Sequence, residues 1–140
     1  MIRAVIDTNV WVSGLLSSRG APAQIVDLAL AGRIIPVVAP AILDECEEVL
    51  LRRELDLPPG DVRAVLSYLR LPGEHVIHVD PGIPERVCSD PDDDVFLSVA
   101  TAGNADYLVT GNPKHFPRSP WRGVRIVSPA SFLKVALEEE

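Results

Sequence analysis

The residues of this chain best suited to chemistry are carboxylates, and they fall into three groups. The first is Asp7, followed by Thr8 and Asn9, directly after the apolar run 2–6. The second is Asp44, Glu45, Glu47 and Glu48, in a stretch with helical apolar spacing. The third is Asp90-Pro91-Asp92-Asp93-Asp94, four acids within five residues. Crowded carboxylates repel one another and raise each other's pKa. A hard divalent cation removes that repulsion. Mg²⁺ suits such a site because it takes one or two carboxylates directly and keeps several waters. The three groups are therefore expected to converge on one divalent-metal site, with Asp7 as a ligand oriented by Thr8 and Asn9. The third group is not an EF-hand, because it lacks the alternating ligands, central Gly and closing Glu.

Each group also has a plainer explanation. Asp, Thr and Asn all cap helices, but a cap needs one such residue and here three stand in a row. Acids near a helix N-terminus are favoured as a solvated face. Glu45 lies at one rim of the stripe Ile42, Cys46, Val49 and Leu50, and Glu47 at the other. Spacing leaves both open as the functional acid. A cap accounts for one or two of the acids at 90–94, not for four.

Further along, Thr110-Gly111-Asn112 closes an apolar run. Gly111 permits close backbone approach, and Asn112 offers a carbonyl oxygen or a hydrogen bond. Lys114, Arg118, Arg122 and Arg125, with Trp121, form a candidate phosphate-contacting rim. His75, His78 and His115 do not cluster and read as structural or surface residues. No Walker sequence, Gly-x-Gly-x-x-Gly or Gly-x-Ser-x-Gly occurs.

The elements that must position these groups follow from periodicity. Short apolar runs predict strands at 2–6, 34–38, 75–79, 106–110 and 124–127. Helical spacing predicts helices at 9–16, 22–31, 40–54, 62–71 (capped by Asp61), 95–103 and from Pro129 onward. Pro36 has no donor to offer a ladder, so an edge position or a bulge is expected there. Strands alternating with helices imply a parallel sheet covered on both faces. Ligands in such a sheet bind beyond the carboxyl ends of the strands, where Asp7 would sit.

The bulk numbers set limits. The 140 residues are expected to form one domain, 1–140, and the 47% hydrophobic content argues for a folded chain. The net charge of −7, from 13 basic and 20 acidic residues, is not the balance of a general nucleic-acid binder. No apolar run approaches the roughly 18–20 residues a membrane helix needs, and no secretory leader pattern is seen. Cys46 and Cys88 lack metal spacing, so free thiols and a cytoplasmic location are expected.

Four pieces together resemble the PIN-domain nuclease family, in its toxin-like branch. They are Val5-Ile6-Asp7-Thr8-Asn9-Val10, Leu43-Asp44-Glu45-Cys46-Glu47-Glu48-Val49-Leu50, Asp90-Pro91-Asp92-Asp93-Asp94-Val95-Phe96-Leu97, and Ala105-Asp106-Tyr107-Leu108-Val109-Thr110-Gly111-Asn112. The resemblance implies a three-layer α/β/α fold with a five-stranded parallel sheet in the order 3-2-1-4-5. It implies Asp7 as the first metal ligand, Glu45 as the helical acid, and Asp93 as the acid opening the long helix, assisted by Asp90 or Asp94. Asn112 stands where the family commonly has a fourth acid, which removes one charge from the site. Thr110 joins Thr8 and Asn9 as residues steadying the acids. The implied activity is Mg²⁺- or Mn²⁺-dependent cleavage of single-stranded RNA, by a homodimer inhibited by a small antitoxin protein. An alternative is a catalytically weak PIN-like module that binds protein or RNA. A receiver-like domain would want a Lys where Ser128-Pro129 stands. A phosphatase of the Asp-x-Asp type would want an acid at Asn9.

Overall fold

A strand made of small and β-branched residues can be covered on both faces, and Ala4-Val5-Ile6 has that composition. In the computed structural model, which describes residues 1–139, this segment is the central strand, β1 (Arg3–Ile6). The elements that follow are α1 (Thr8–Leu16), α2 (Ala21–Leu30), β2 (Ile35–Val38), α3 (Pro40–Leu50) and α4 (Pro59–Arg70). After them come β3 (Ile77–His78), α5 (Pro91–Ala102), β4 (Tyr107–Val109), β5 (Arg125–Val127) and α6 (Pro129–Glu138). The sheet order is β3-β2-β1-β4-β5 and every pairing is parallel. This is the expected α/β/α arrangement of a five-stranded sheet between helices.

β1 pairs with β2 at Arg3↔Ile35 and with β4 at Ala4↔Tyr107. Its neighbours therefore end level with it, and the residues just past Ile6 and Val109 meet at one rim. α5 packs against β1, β2 and β4, while α2 is held between α1 and α6. The core runs continuously through both interfaces, from Trp11, Ile25 and Phe132 to Phe96 and Val99. Two glycines let helices come close. A Cβ on Gly103, at the end of α5, would lie 2.3 Å from Val37 Cγ1 on β2. A Cβ on Gly14 would lie 2.6 Å from Val26 Cγ2 and 2.8 Å from the Pro22 carbonyl, where α1 crosses α2.

Several boundaries differ from expectation. β2 is an interior strand without a bulge, so the expected edge position of Pro36 is corrected. Ile35 N donates to Ile2 O on the β1 side, and Val38 O accepts from Val79 N on the β3 side. Alternation turns the missing donor of Pro36 toward β3, whose pairing starts only at Val37↔Ile77. β3 itself is two residues long rather than five. α3 ends at Leu50 instead of Glu54, and Arg53–Leu55 forms a separate 3₁₀ turn. Asp61 does not cap α4: Pro58 holds the cap position and Asp61 lies in the first turn. α5 begins at Pro91 rather than Val95, so the acidic cluster is the helix's own first turn. Cys46 and Cys88 are both free thiols. Among the described residues, no helix is long and apolar enough to cross a membrane.

Candidate active site

The rim beyond β1 and β4 carries a cleft of about 300 Å³, whose acids come from three separate segments: Asp7, Glu45 on α3, and Asp90, Asp92 and Asp93 at the start of α5. Asp7 is placed by the sheet. Its backbone N–H donates to Val109 O at 2.9 Å, which carries the β1–β4 ladder one residue past the strand. Asp7 occupies the cap position of α1, yet its side chain makes no capping hydrogen bond. Its Oδ2 accepts instead from the hydroxyl of Thr110, at 2.9 Å. Thr110 is 0% exposed, and its oxygen also accepts from the Asn112 N–H, at 3.1 Å. One buried hydroxyl thus ties the ends of β1 and β4 together. Burial raises the Asp7 carboxyl above the ordinary range, opposed by the Thr110 hydroxyl, the Asn9 and Thr8 amides and the charge of His115.

The choice between Glu45 and Glu47 is made by what each touches. Glu47 reaches Arg70 on α4, at 3.2 Å, together with Asp44 at 3.5 Å. Glu45 turns into the cleft and accepts from the Thr8 hydroxyl. Thr8 therefore steadies Glu45, not Asp7 as the sequence suggested. The Thr8 oxygen also lies 3.7 Å from Cys46 Sγ. Since the one Thr8 proton goes to Glu45, the Cys46 S–H is the donor in that contact. Burial pushes the Cys46 thiol up to about 11, so it keeps that proton. The Glu45 carboxyl is raised by burial, with Asp7, Asp92 and Glu48 adding to the rise and the Thr8 hydroxyl opposing it.

The acids of the third group divide their work. Asp90 is the α5 cap, its Oδ1 accepting from Asp92 N at 2.9 Å. Asp93 turns into the cleft, where burial, then Asp90 and Asp7, raise its carboxyl. Asp94 does not join them. Its side chain is 1% exposed, and its oxygens accept from Val87 N (2.9 Å), Cys88 N (2.6 Å) and Arg86 Nε (3.1 Å). Those bonds, led by the Cys88 amide, hold the Asp94 carboxyl below the usual carboxylate range. Asp94, expected beside Asp93 as a metal ligand, instead has both oxygens engaged in closing the loop before α5.

Other expected residues are placed unequally. Asn9 and Asn112 line the cleft. At Gly111 a Cβ would meet nothing within 4 Å, so no close approach requires a glycine there. Lys114, Arg118 and Arg122 stand outside the cleft lining. Arg122 is engaged by Glu85, at 2.8 and 3.2 Å, and its guanidinium lies 4.9 Å from the Trp121 ring centre. His75 and His78 are structural, each bonded at 2.8 Å to a carbonyl at the end of α4. His115 is not: it lines the cleft, with Nδ1 4.0 Å from Asp93 Oδ2. Arg52 was also missed, and it lines the same cleft while bonded to Glu48. Arg52 lies past the end of α3 at Leu50, so no helical spacing from Glu45 marks it in the sequence.

A family model described as "PIN domain" matches residues 3–114. The chain is also similar to a protein of Methanocaldococcus jannaschii named "Uncharacterized protein MJ1680". The two are 32% identical over 111 residues, which make up 79% of this chain and 71% of the relative. No solved structure matches the chain with significance.

Proposed function

This chain belongs to the PIN-domain family, and on that premise we propose that it is a Mg²⁺- or Mn²⁺-dependent endoribonuclease that hydrolyses phosphodiester bonds of single-stranded RNA. PIN domains are in general nucleases. The observation that carries the reading is that Asp7, Glu45 and Asp93 line one cleft, each carboxyl raised first of all by burial. Buried acids with raised pKa values, brought together from distant segments, mark a site built for chemistry.

The donor set fits a hard cation. It offers carboxylate oxygens and the amides of Asn9 and Asn112. Among the described residues, no group of three or more His, Cys, Asp or Glu side chains is arranged to hold a metal ion by itself, so the fit proposed is to a cation that takes one or two carboxylates and completes its shell with water. Asp7 and Asp93 would hold it, with Glu45 and Asp90 beside them. When bound, the cation supplies Lewis acidity that activates water for attack at phosphorus and offsets the charge growing on the phosphoryl oxygens. The chain's own residues prepare the ground. Thr110 fixes the Asp7 carboxylate and favours its charged form, and Thr8 does the same for Glu45. Arg52 presents a guanidinium at the wall, suited to a phosphate. An acidic cleft repels RNA until it is neutralised, so binding as well as cutting requires the cation.

The same reading extends to a cytoplasmic toxin of a toxin–antitoxin pair, homodimeric and inhibited by a small antitoxin protein. Its support is the four-motif resemblance. A short neighbouring reading frame whose product binds this chain and blocks cutting would test it.

The decisive experiment is cleavage of a mixed single-stranded RNA pool with Mn²⁺, with chelator, and by a folded Asp7→Asn/Asp93→Asn variant. Cutting that needs both the cation and the two acids is expected. Absence of both cutting and Mn²⁺ binding would overturn the reading. One observation favours a second reading, a catalytically weak protein- or RNA-binding module: Asn112 lines the cleft where an acid would add charge. On the nuclease reading, Asn112→Asp tightens Mn²⁺ binding, and unchanged affinity in calorimetry would remove Asn112 from the argument.

A further inference from the structure

A groove of about 660 Å³, larger than the acidic cleft, lies between α3 and α4. Its floor is apolar, with Leu50, Leu57 and Val62 buried and Leu51 62% exposed. Its walls carry Arg52, Arg53, Arg63 and Arg70 against only Glu47 and Asp56. Four of the chain's 13 basic residues thus line one groove in a protein of net charge −7.

The four arginines are not equivalent. Arg70 is engaged by Asp44 and Glu47, and Arg52 by Glu48. Arg53 and Arg63 are exposed, and neither forms an ion pair among the described residues. Arg52 lines both the groove and the acidic cleft, so the two concavities share a wall.

We infer that this groove is the path of the single-stranded RNA flanking the cut site, with Arg53 and Arg63 contacting its phosphates and Arg52 standing at the passage into the cleft. The inference rests on the nuclease reading and adds to it the surface that holds the strand. An acidic protein that cuts a polyanion needs a cationic surface next to its acids. On the other flank Arg86 is bonded to Asp94 and Arg122 to Glu85, and the exposed Lys114 and Arg118 stand outside the cleft lining, whereas Arg52 joins the groove to the cleft. Guanidinium forks match phosphate geometry. The apolar floor offers packing without hydrogen-bond readout, so contacts there are tolerant of sequence.

The test compares wild type with Arg53→Gln/Arg63→Gln on random-sequence RNA pools of two lengths. One pool is roughly 15 nucleotides long, enough to reach the groove, and one is roughly four, confined to the cleft. Melting temperature is measured alongside. The expected result is a loss of kcat/KM of roughly tenfold on the long pool, carried by KM, and less than about twofold on the short one. The slope of log kcat/KM against log salt should flatten by roughly 1.4, for two lost phosphate contacts on a single strand. If wild type cuts and the variant matches it on the long pool, the groove is not the RNA path, while the nuclease reading stands. An equal loss on both lengths also overturns the inference, because the arginines would then act on the cleft or the fold. If wild type neither cuts either pool nor binds Mn²⁺, the nuclease reading fails and this inference with it.

Discussion

Thr110→Val is the substitution that most directly tests how the site is held. Thr110 is 0% exposed, its hydroxyl donates to Asp7 Oδ2 at 2.9 Å, and valine reproduces its shape without the hydroxyl. The bond lost is charge-assisted and part-buried, and hydrogen bonds to charged groups have a net worth of about 1.5–3 kcal/mol. The Asp7 carboxyl is already raised by burial, and the Thr110 hydroxyl is the strongest influence opposing that rise. Without it the charged form is disfavoured further, and cation binding requires the charged form. At about 1.4 kcal/mol per tenfold, Mn²⁺ affinity should fall roughly 10- to 150-fold. The Asn112 N–H also loses its acceptor, so Thr110→Ser, which keeps the hydroxyl, is the matched control. Titration calorimetry with Mn²⁺, supported by melting curves, reads the effect. Wild-type affinity in a folded Thr110→Val protein, or an equal loss in Thr110→Ser, would refute the reasoning.

Three further outcomes are expected. Glu45→Gln should reduce Mn²⁺-dependent cleavage far more than Glu47→Gln, because Glu47 is turned to Arg70 and away from the cleft; equal losses in a single-turnover assay would contradict this. Asp94 has a folded pKa depressed below 3.8 by its Cys88 and Val87 amide bonds and by Arg86. Its contribution to stability is therefore fully present above about pH 4 and lost as pH falls through the lower folded value. Asp94→Asn should lower the melting temperature at neutral pH, with the gap to wild type closing in acid, and a gap independent of pH would be the contrary result. Gly103→Ala drives a methyl to 2.3 Å from Val37 Cγ1, an overpacking cost of about 1–3 kcal/mol; chemical denaturation should show it, and show it relieved in Gly103→Ala/Val37→Ala.

The order of strands and helices was legible because both periods are written plainly in this chain. Residues 4–6 and 107–109 are continuous apolar runs, as a strand covered on both faces requires. Ile42, Cys46, Val49 and Leu50 recur at helical spacing. Element ends were less legible. Asp90 and Pro91 start α5 four residues before its apolar pattern does, because a cap and a proline at the first position define a helix start independently of burial. β3 is short because only Val37 and Val38 find parallel partners there, a matter of pairing that no local pattern expresses.

By itself the sequence determined which residue types were available: oxygen donors at three separated places, no metal-spaced thiols, and apolar periods that fold into a parallel sheet. Tertiary structure decided which of those donors lie together. Glu45 and Glu47 sit at opposite rims of one apolar stripe, where spacing leaves both open, and α3 meets Thr8 on one side and Arg70 on the other. Asp93 and Asp94 are neighbours in the chain, but the rotation of about 100° per residue in a helix sends one into the cleft and the other under the loop at Val87–Cys88. Arg52 and His115 entered the cleft from segments that carried no local mark of it. The physical reason is common to all of these. Residue type is a property of the chain, whereas the neighbour that fixes a side chain's charge and direction comes from another element, and only packing brings it there.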